Sequence, residues 1–182
     1  MKLSTRDANA YFARPDPEKT GVLIFGSDTM RVALKRQELL KSLLGPNAEE
    51  EMRLTRMPAA ELRRDPAMLL DAVKAVGFFP GPRAAFVEDA IDNVAKILLD
   101  ALADWKPGDA QIIVTGGDLK KTSKVRKAFE AHPKAYAAAI YDYPPDRGEI
   151  ERMLAEAQLQ PESDAMGMLT YLARAFYPVD FR

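Results

Sequence analysis

Gly21-Val22-Leu23-Ile24-Phe25-Gly26-Ser27-Asp28 is a continuous apolar run bounded by glycines and ending on a short acidic residue. Apolar side chains without alternation mark a strand buried on both faces, and strands of that kind belong to parallel sheets covered by helices. Asp28 reads as the N-cap of a helix that runs to Leu44 and stops at Gly45-Pro46. The same alternation repeats outward. Further strands are expected at Glu51–Thr55, Arg83–Glu88, Ala110–Thr115 and Ala137–Tyr143. Between them Pro58–Leu62, Pro66–Val76, Ile91–Trp105 and Ser123–Ala131 have helical patterns, with Pro at the first helical position of the first two. Upstream, Ser4 caps a short helix through Phe12 that Arg14-Pro15-Asp16-Pro17 ends. The expectation is an α/β domain over residues 1–143, a parallel five-stranded sheet flanked by helices. Pro144-Pro145 breaks the rhythm. Only helices follow, Asp146–Ala157 and Pro161–Phe176, so residues 144–182 form a second unit too small for a core of its own.

Composition narrows the chemistry. The chain has 182 residues, 47% of them hydrophobic, which suits a domain with a sizeable core. No apolar run approaches the ~18 residues of a membrane span, and no signal core follows the first basic residues, so a cytoplasmic location is expected. There is no cysteine, which removes disulfides, thiolate catalysis and cysteine metal sites. His132 is the only histidine, so any Ser-His-Asp triad or histidine ligand set would need it. Its context, Glu130-Ala131-His132-Pro133, reads as a helix end, where a histidine serves as a partner of the helix dipole. A net charge of −1 supplies no global attraction to nucleic acid.

Several stretches invite a chemical reading. Gly21 and Gly26 have the spacing of the glycines of a phosphate-binding loop. The residues between them belong to a strand, however, and no lysine follows Gly26. Asp28 would set a negative charge beside a polyphosphate. Phe86-Val87-Glu88-Asp89 has the form of a magnesium-binding strand end, but the plainer reading is that Glu88 and Asp89 cap the next helix. Asp118 to Lys127 is the densest basic segment. Lys120, Lys121 and Lys124 in it are candidates for a DNA-backbone contact at a helix N-terminus; the plainer reading is a solvated face, because no aromatics interleave with the charges. Trp105, Tyr136, Tyr141 and Tyr143 read as packing residues. Ala75-Val76-Gly77-Phe78-Phe79-Pro80-Gly81-Pro82 is different in kind. Neighbouring aromatics cannot both face one core from one helix, so an aromatic facing water, able to anchor a partner, is expected here.

In order and spacing, three of these stretches resemble the delta subunits of the bacterial DNA polymerase III clamp loader. They are Gly21 to Asp28, Ala75 to Arg83, and Gly117 to Lys127, with Arg53-Leu54-Thr55-Arg56 fitting between the first two. The resemblance extends over the whole chain. It implies an AAA+-like first domain that does not hydrolyse ATP, a helical lid beginning near Pro144 and incomplete here, and a collar domain, absent here, that joins other loader subunits. It also implies a clamp-binding element at the end of the helix before the third strand. Carried over by position, its apolar residues are Val76, Phe78 and Phe79, which would enter a pocket of the sliding clamp (the beta subunit) and open the ring during DNA replication. No catalytic residue, cofactor or metal is expected on that reading, DNA contact would be weak outside the full complex, and no membrane is involved. Gly77, at about 1 kcal/mol below a good helix former, marks the place where the element is least rigid. The other classes left open are a nucleotide-dependent ATPase with an unusual phosphate loop and a DNA-backbone-binding module built on the basic segment.

Overall fold

Strand Gly21–Phe25, fully buried along its length, lies at the centre of a parallel sheet in the computed structural model, which describes residues 1–141, 143–145 and 147–175. In chain order the elements are β1 (Lys2–Leu3), α1 (Thr5–Ala13), β2 (Gly21–Phe25), α2 (Thr29–Leu44), β3 (Leu54–Pro58), α3 (Ala59–Leu62), α4 (Ala67–Lys74), β4 (Ala84–Glu88), α5 (Ala95–Asp104), β5 (Gln111–Gly116), α6 (Lys124–Ala131), β6 (Ala135–Ala139), α7 (Arg147–Glu156) and α8 (Ser163–Ala175). The six strands follow the order β1-β6-β2-β5-β4-β3 and every neighbouring pair is parallel. Helices cover both faces, so the α/β layout expected from the sequence is present.

The alternation along β2 separates two cores. Leu23 and Phe25 face the side covered by α3, α4, α5 and α6, where Leu69, Val73, Leu98, Leu102, Val125 and Phe129 pack on Ala85, Val87, Ile112 and Val114. Val22 and Ile24 face the side covered by α1 and α2, where Phe12, Leu39 and Leu43 pack on Phe86 and Ile113. Trp105 closes the first core and donates its Nε1–H to the Ala110 carbonyl at 3.1 Å. Tyr11 and Tyr136 meet edge to face at 5.0 Å.

Several boundaries differ from the sequence reading. The sheet has a sixth strand: Lys2–Leu3 pairs with β6 in register with Ala137 and Ala138. Two residues carry no periodicity, so a strand this short is visible only through its partner. The second strand is Leu54–Pro58 and not Glu51–Thr55, because Asn47 to Met52 form turns and Met52 has a left-handed backbone with φ 49°. Pro58 ends that strand and is the N-cap of α3. Pro66 is likewise an N-cap residue, preceding the first residue of α4. The helix expected from Ile91 opens as a 3₁₀ turn over Asp92–Val94, and α-helix begins only at Ala95. The last strand is Ala135–Ala139 and ends before Tyr141.

The chain divides after Tyr141 into two units. In the second, α7 carries an Arg147–Glu151 ion pair at 2.8 Å, and Gln158, with φ 58°, follows its C-terminal end. The final part of the helix expected over Pro161–Phe176 lies outside the described residues. No helix among the described residues is long and apolar enough to cross a membrane.

His132 is the C-cap of α6 and donates its backbone N–H to the Ala128 carbonyl at 3.2 Å. Its Nδ1 accepts the Lys134 N–H at 3.2 Å, which requires the unprotonated nitrogen of a neutral ring. Burial pushes its pKa below the ordinary 6.5 and the nearby N-terminal ammonium adds to that, against a hydrogen bond to the Leu102 backbone. The residue at this helix end is therefore a neutral cap and not a cationic dipole partner. The folded state binds fewer protons at this site than the unfolded chain. Its contribution is complete above the unfolded value and is lost as pH falls from there through the lower folded value. The urea midpoint should accordingly drop further between about pH 7.5 and pH 5.5 in the wild type than in His132→Gln. In the core, Phe129→Ala should cost about 3–5 kcal/mol in urea unfolding, since the ring is completely buried.

Candidate partner-binding turn

Helix α4 stops at Lys74, two residues short of the sequence expectation: Ala75 has ψ 133°, and its N–H closes the last turn on the Asp71 carbonyl at 2.8 Å. Val76, Gly77, Phe78 and Phe79 therefore lie beyond the helix, on an irregular turn that leads to β4. Gly77 is not helical, and its low helix propensity has no bearing on the rigidity of the element. Pro80 disfavours helical backbone at Phe79, and Gly81, between the two prolines, has φ 119°, a region that suits glycine alone.

This turn holds the most exposed apolar side chains of the first unit. Val76 is 95% exposed, Phe78 92% and Phe79 39%. The two phenylalanine rings meet edge to face, 5.3 Å between centroids and 77° between planes. Phe79 is thus the more seated of the pair and Phe78 the more prominent.

The N-terminal side of the turn is fixed by Lys74. Its ammonium donates to the Asp104 carbonyl at 2.8 Å and to Asp109 Oδ2 at 2.7 Å, and pairs with the Asp104 carboxylate at 2.9 Å. These hydrogen bonds, to Asp109 first and then Asp104, raise the Lys74 pKa. At Asp109 burial pushes the pKa up, but Lys74, the Lys106 N–H and the charge of Arg83 outweigh it and leave the carboxyl below its ordinary value. The Ala110 N–H, bound to the Val73 carbonyl at 2.9 Å, ties the same corner to the start of β5.

The phosphate-loop candidate is a structural feature of the sheet. A Cβ on Gly21 would stand 2.1 Å from the Ile112 carbonyl oxygen, and one on Gly26 2.3 Å from that of Ile140. Both glycines are needed because neighbouring backbone approaches so closely. Asp28 caps α2, its carboxylate accepting the Arg31 N–H at 3.0 Å, so the helix N-terminus carries the protein's own anion. A cleft of about 210 Å³ lies beside it, lined by Thr29, Arg36, Phe86, Glu88, Asp89 and Thr115 among others. Asp89 does not cap the following helix: its φ is 54° and its N–H donates to Thr115 Oγ1 at 3.3 Å.

Lys120, Lys121 and Lys124 are exposed around the start of α6. The helix end itself is taken. Asp92 Oδ1 accepts the Ser123 hydroxyl at 2.6 Å and the Val125 N–H at 3.2 Å, while Ser123 Oγ accepts the Arg126 N–H at 3.3 Å. The bond from Ser123 is the main cause of the lowered Asp92 pKa. Arg126 is turned inward, to Glu130 at 2.8 Å and over the Phe25 ring. The apolar turn and the basic segment are not brought together. One precedes β4 and the other follows β5, so they sit at opposite ends of parallel neighbours, roughly 17–20 Å apart along the strands. The residues that fix the turn, Lys74 with Asp104 and Asp109, and also Arg53 and Arg83, escape sequence reading. Their contacts span 25 to 35 positions, and no local pattern marks them.

By sequence, no family model and no curated protein matches the chain. By structure, it is similar to the DNA clamp loader delta protein YqeN of Bacillus subtilis, with a TM-score of 0.61 and 13% identity over 93% of this chain and 51% of that one. It also matches a RuvB variant of Thermotoga maritima, with a TM-score of 0.48 and 15% identity over 88% of this chain and 51% of that one. The chain spans about half the length of these solved structures. The likeness to the clamp loader delta protein is one of fold, a parallel sheet of six strands flanked by helices.

Proposed function

We propose that this chain is a clamp-loader delta-type subunit that binds a sliding clamp through Val76, Phe78 and Phe79 and favours the open ring. The observation that carries the reading is the exposed apolar turn, held by polar contacts at one edge of an AAA+-like sheet. The fold likeness to a clamp loader delta protein supports it. So does the α2 N-terminus, where the Asp28 carboxylate takes the Arg31 N–H and sets a negative charge where a nucleotide phosphate would approach.

The energetics follow from exposure. Burying a large apolar side chain completely contributes about 1.5–3 kcal/mol. Phe78, almost wholly exposed, has the most area to lose, and Phe79 supports it from a half-seated position. Two such anchors with Val76 supply about 4.5–9 kcal/mol before the association cost of about 4 kcal/mol or more, so contacts around the turn must add to them to reach roughly micromolar binding. A turn that fits the sprung clamp interface better than the closed one shifts the ring toward opening by that difference in affinity. The subunit makes and breaks no bond; ATP hydrolysis belongs to neighbouring subunits. Residues 144–182 would begin a helical lid, with a collar in the longer protein joining the other loader subunits. Lys120, Lys121 and Lys124 would touch DNA only within the assembled complex, in the cytoplasm.

Titration of the protein with its cognate sliding clamp tests this. Phe78→Ala should weaken binding roughly tenfold or more, and Phe79→Ala by less, since its ring is already partly buried. An affinity unchanged in the Phe78→Ala, Phe79→Ala double variant would remove the turn from the interface.

A further inference from the structure

The turn that carries Val76, Phe78 and Phe79 has no sheet ladder of its own and includes two glycines. Left to itself it would sample many conformations, and ordering it on a partner would cost affinity. Two arginines reach it from the starts of adjacent strands. Arg53 precedes β3 and Arg83 precedes β4, and the Leu54–Ala84 register sets them side by side at the sheet edge.

Arg83 crosses beneath the turn. A Cβ on Gly77 would stand 2.8 Å from Arg83 Cδ and 3.5 Å from its Nε, so the absence of a side chain at Gly77 is what lets the arginine stem pass. The far end of the guanidinium donates from Nη2 to the Gly108 carbonyl at 2.8 Å. Gly108 adjoins Asp109, the residue that holds Lys74. The start of the turn and the arginine under its middle are thus secured to the same loop, residues 106–109. Arg53 secures the other end. It donates from Nη1 to the Pro82 carbonyl at 3.1 Å and from Nε to Glu51 at 2.7 Å, and its side chain is only 10% exposed. Its guanidinium lies against Gly81, where a Cβ would meet Nη1 at 3.4 Å.

We propose that Arg83, seated under Gly77 and bonded to Gly108, is the positioning residue that presents Phe78 and Phe79 in one conformation, with Arg53 fixing the C-terminal end of the turn. Its consequence for clamp affinity rests on the reading of the turn as a clamp-binding element; its consequence for the free protein does not. Gly77 is then a specificity requirement of the turn, since a methyl group there must displace Arg83.

The test uses the protein with 4-fluorophenylalanine placed at Phe79, observed by ¹⁹F NMR with and without the sliding clamp. In the free wild type a single resonance away from the solvent-exposed value is expected. Arg83→Ala and Gly77→Ala should both move it toward that value. Arg83→Lys, which keeps the stem under Gly77 and one donor for Gly108, should hold it near the wild-type position. Circular dichroism and the thermal midpoint show whether each variant remains folded. Clamp affinity should fall roughly fivefold in Arg83→Ala, the cost of ordering a loosened turn. A Phe79 resonance that does not move in folded Arg83→Ala overturns the proposal. So does an unchanged affinity in that variant while Phe78→Ala still weakens binding. If the phenylalanine variants bind the clamp as the wild type does, the clamp reading fails, and the free-protein resonance still decides whether Arg83 positions the turn.

Discussion

The close approach of backbone around β2 is the constraint from which the rest of the molecule follows. This strand is enclosed by β5 and β6 and covered by helices on both faces, and its flanking glycines have no room for a Cβ. Burial of every residue from Gly21 to Phe25 divides the hydrophobic side chains between two cores, one under α3 to α6 and one under α1 and α2. It also removes the glycines from phosphate chemistry. A glycine that serves strand packing is not free to open a loop around an anion, and the helix that follows is capped by Asp28.

Carboxylates recur at the helix ends where an external anion would bind. Asp28 satisfies α2 and Asp92, from a different part of the chain, satisfies α6. Each supplies negative charge to a helix N-terminus, a favourable placement for the dipole, and each takes donors that a phosphate would need. At both helix ends the protein's own carboxylates therefore take up exposed N–H groups. What stands out from the surface instead is the turn after α4, where apolar side chains project and cations grip the backbone beneath them. The division of labour is physical: the exposed rings offer area to bury, and Lys74, Arg83 and Arg53 remove the conformational freedom that would oppose burying it.

The fold class was legible because fully buried strands and capped helices leave local signals. The run at Gly21–Phe25, the N-caps Ser4 and Asp28, and the stop at Gly45 are all where the sequence places them. Boundaries slipped where a signal had two physical causes. The apolar pattern of α4 continues through Val76, but those last side chains face solvent, so periodicity overran the helix by two residues. Strand β1 escaped because two residues have no period. Glu88 and Asp89 ended a strand as expected, yet neither caps the next helix, because Asp89 turns left-handed and bonds back to Thr115.

By itself the sequence determined the alternation of strands and helices, the lack of thiol chemistry, the absence of a lysine in the loop after Gly26 and the pair of aromatics on a proline-bounded turn. These depend on residue identity and short-range spacing alone. The tertiary structure decided which way Phe78 points, that Gly77 is a seat for Arg83 and not a weak point in a helix, and that Asp92 closes the N-terminus of α6. Asp92 meets Ser123 and Val125 across more than thirty positions, and Arg83 is held under Gly77 by Gly108, 25 positions on; no local pattern contains such contacts, and only the packing of the elements brings these residues together.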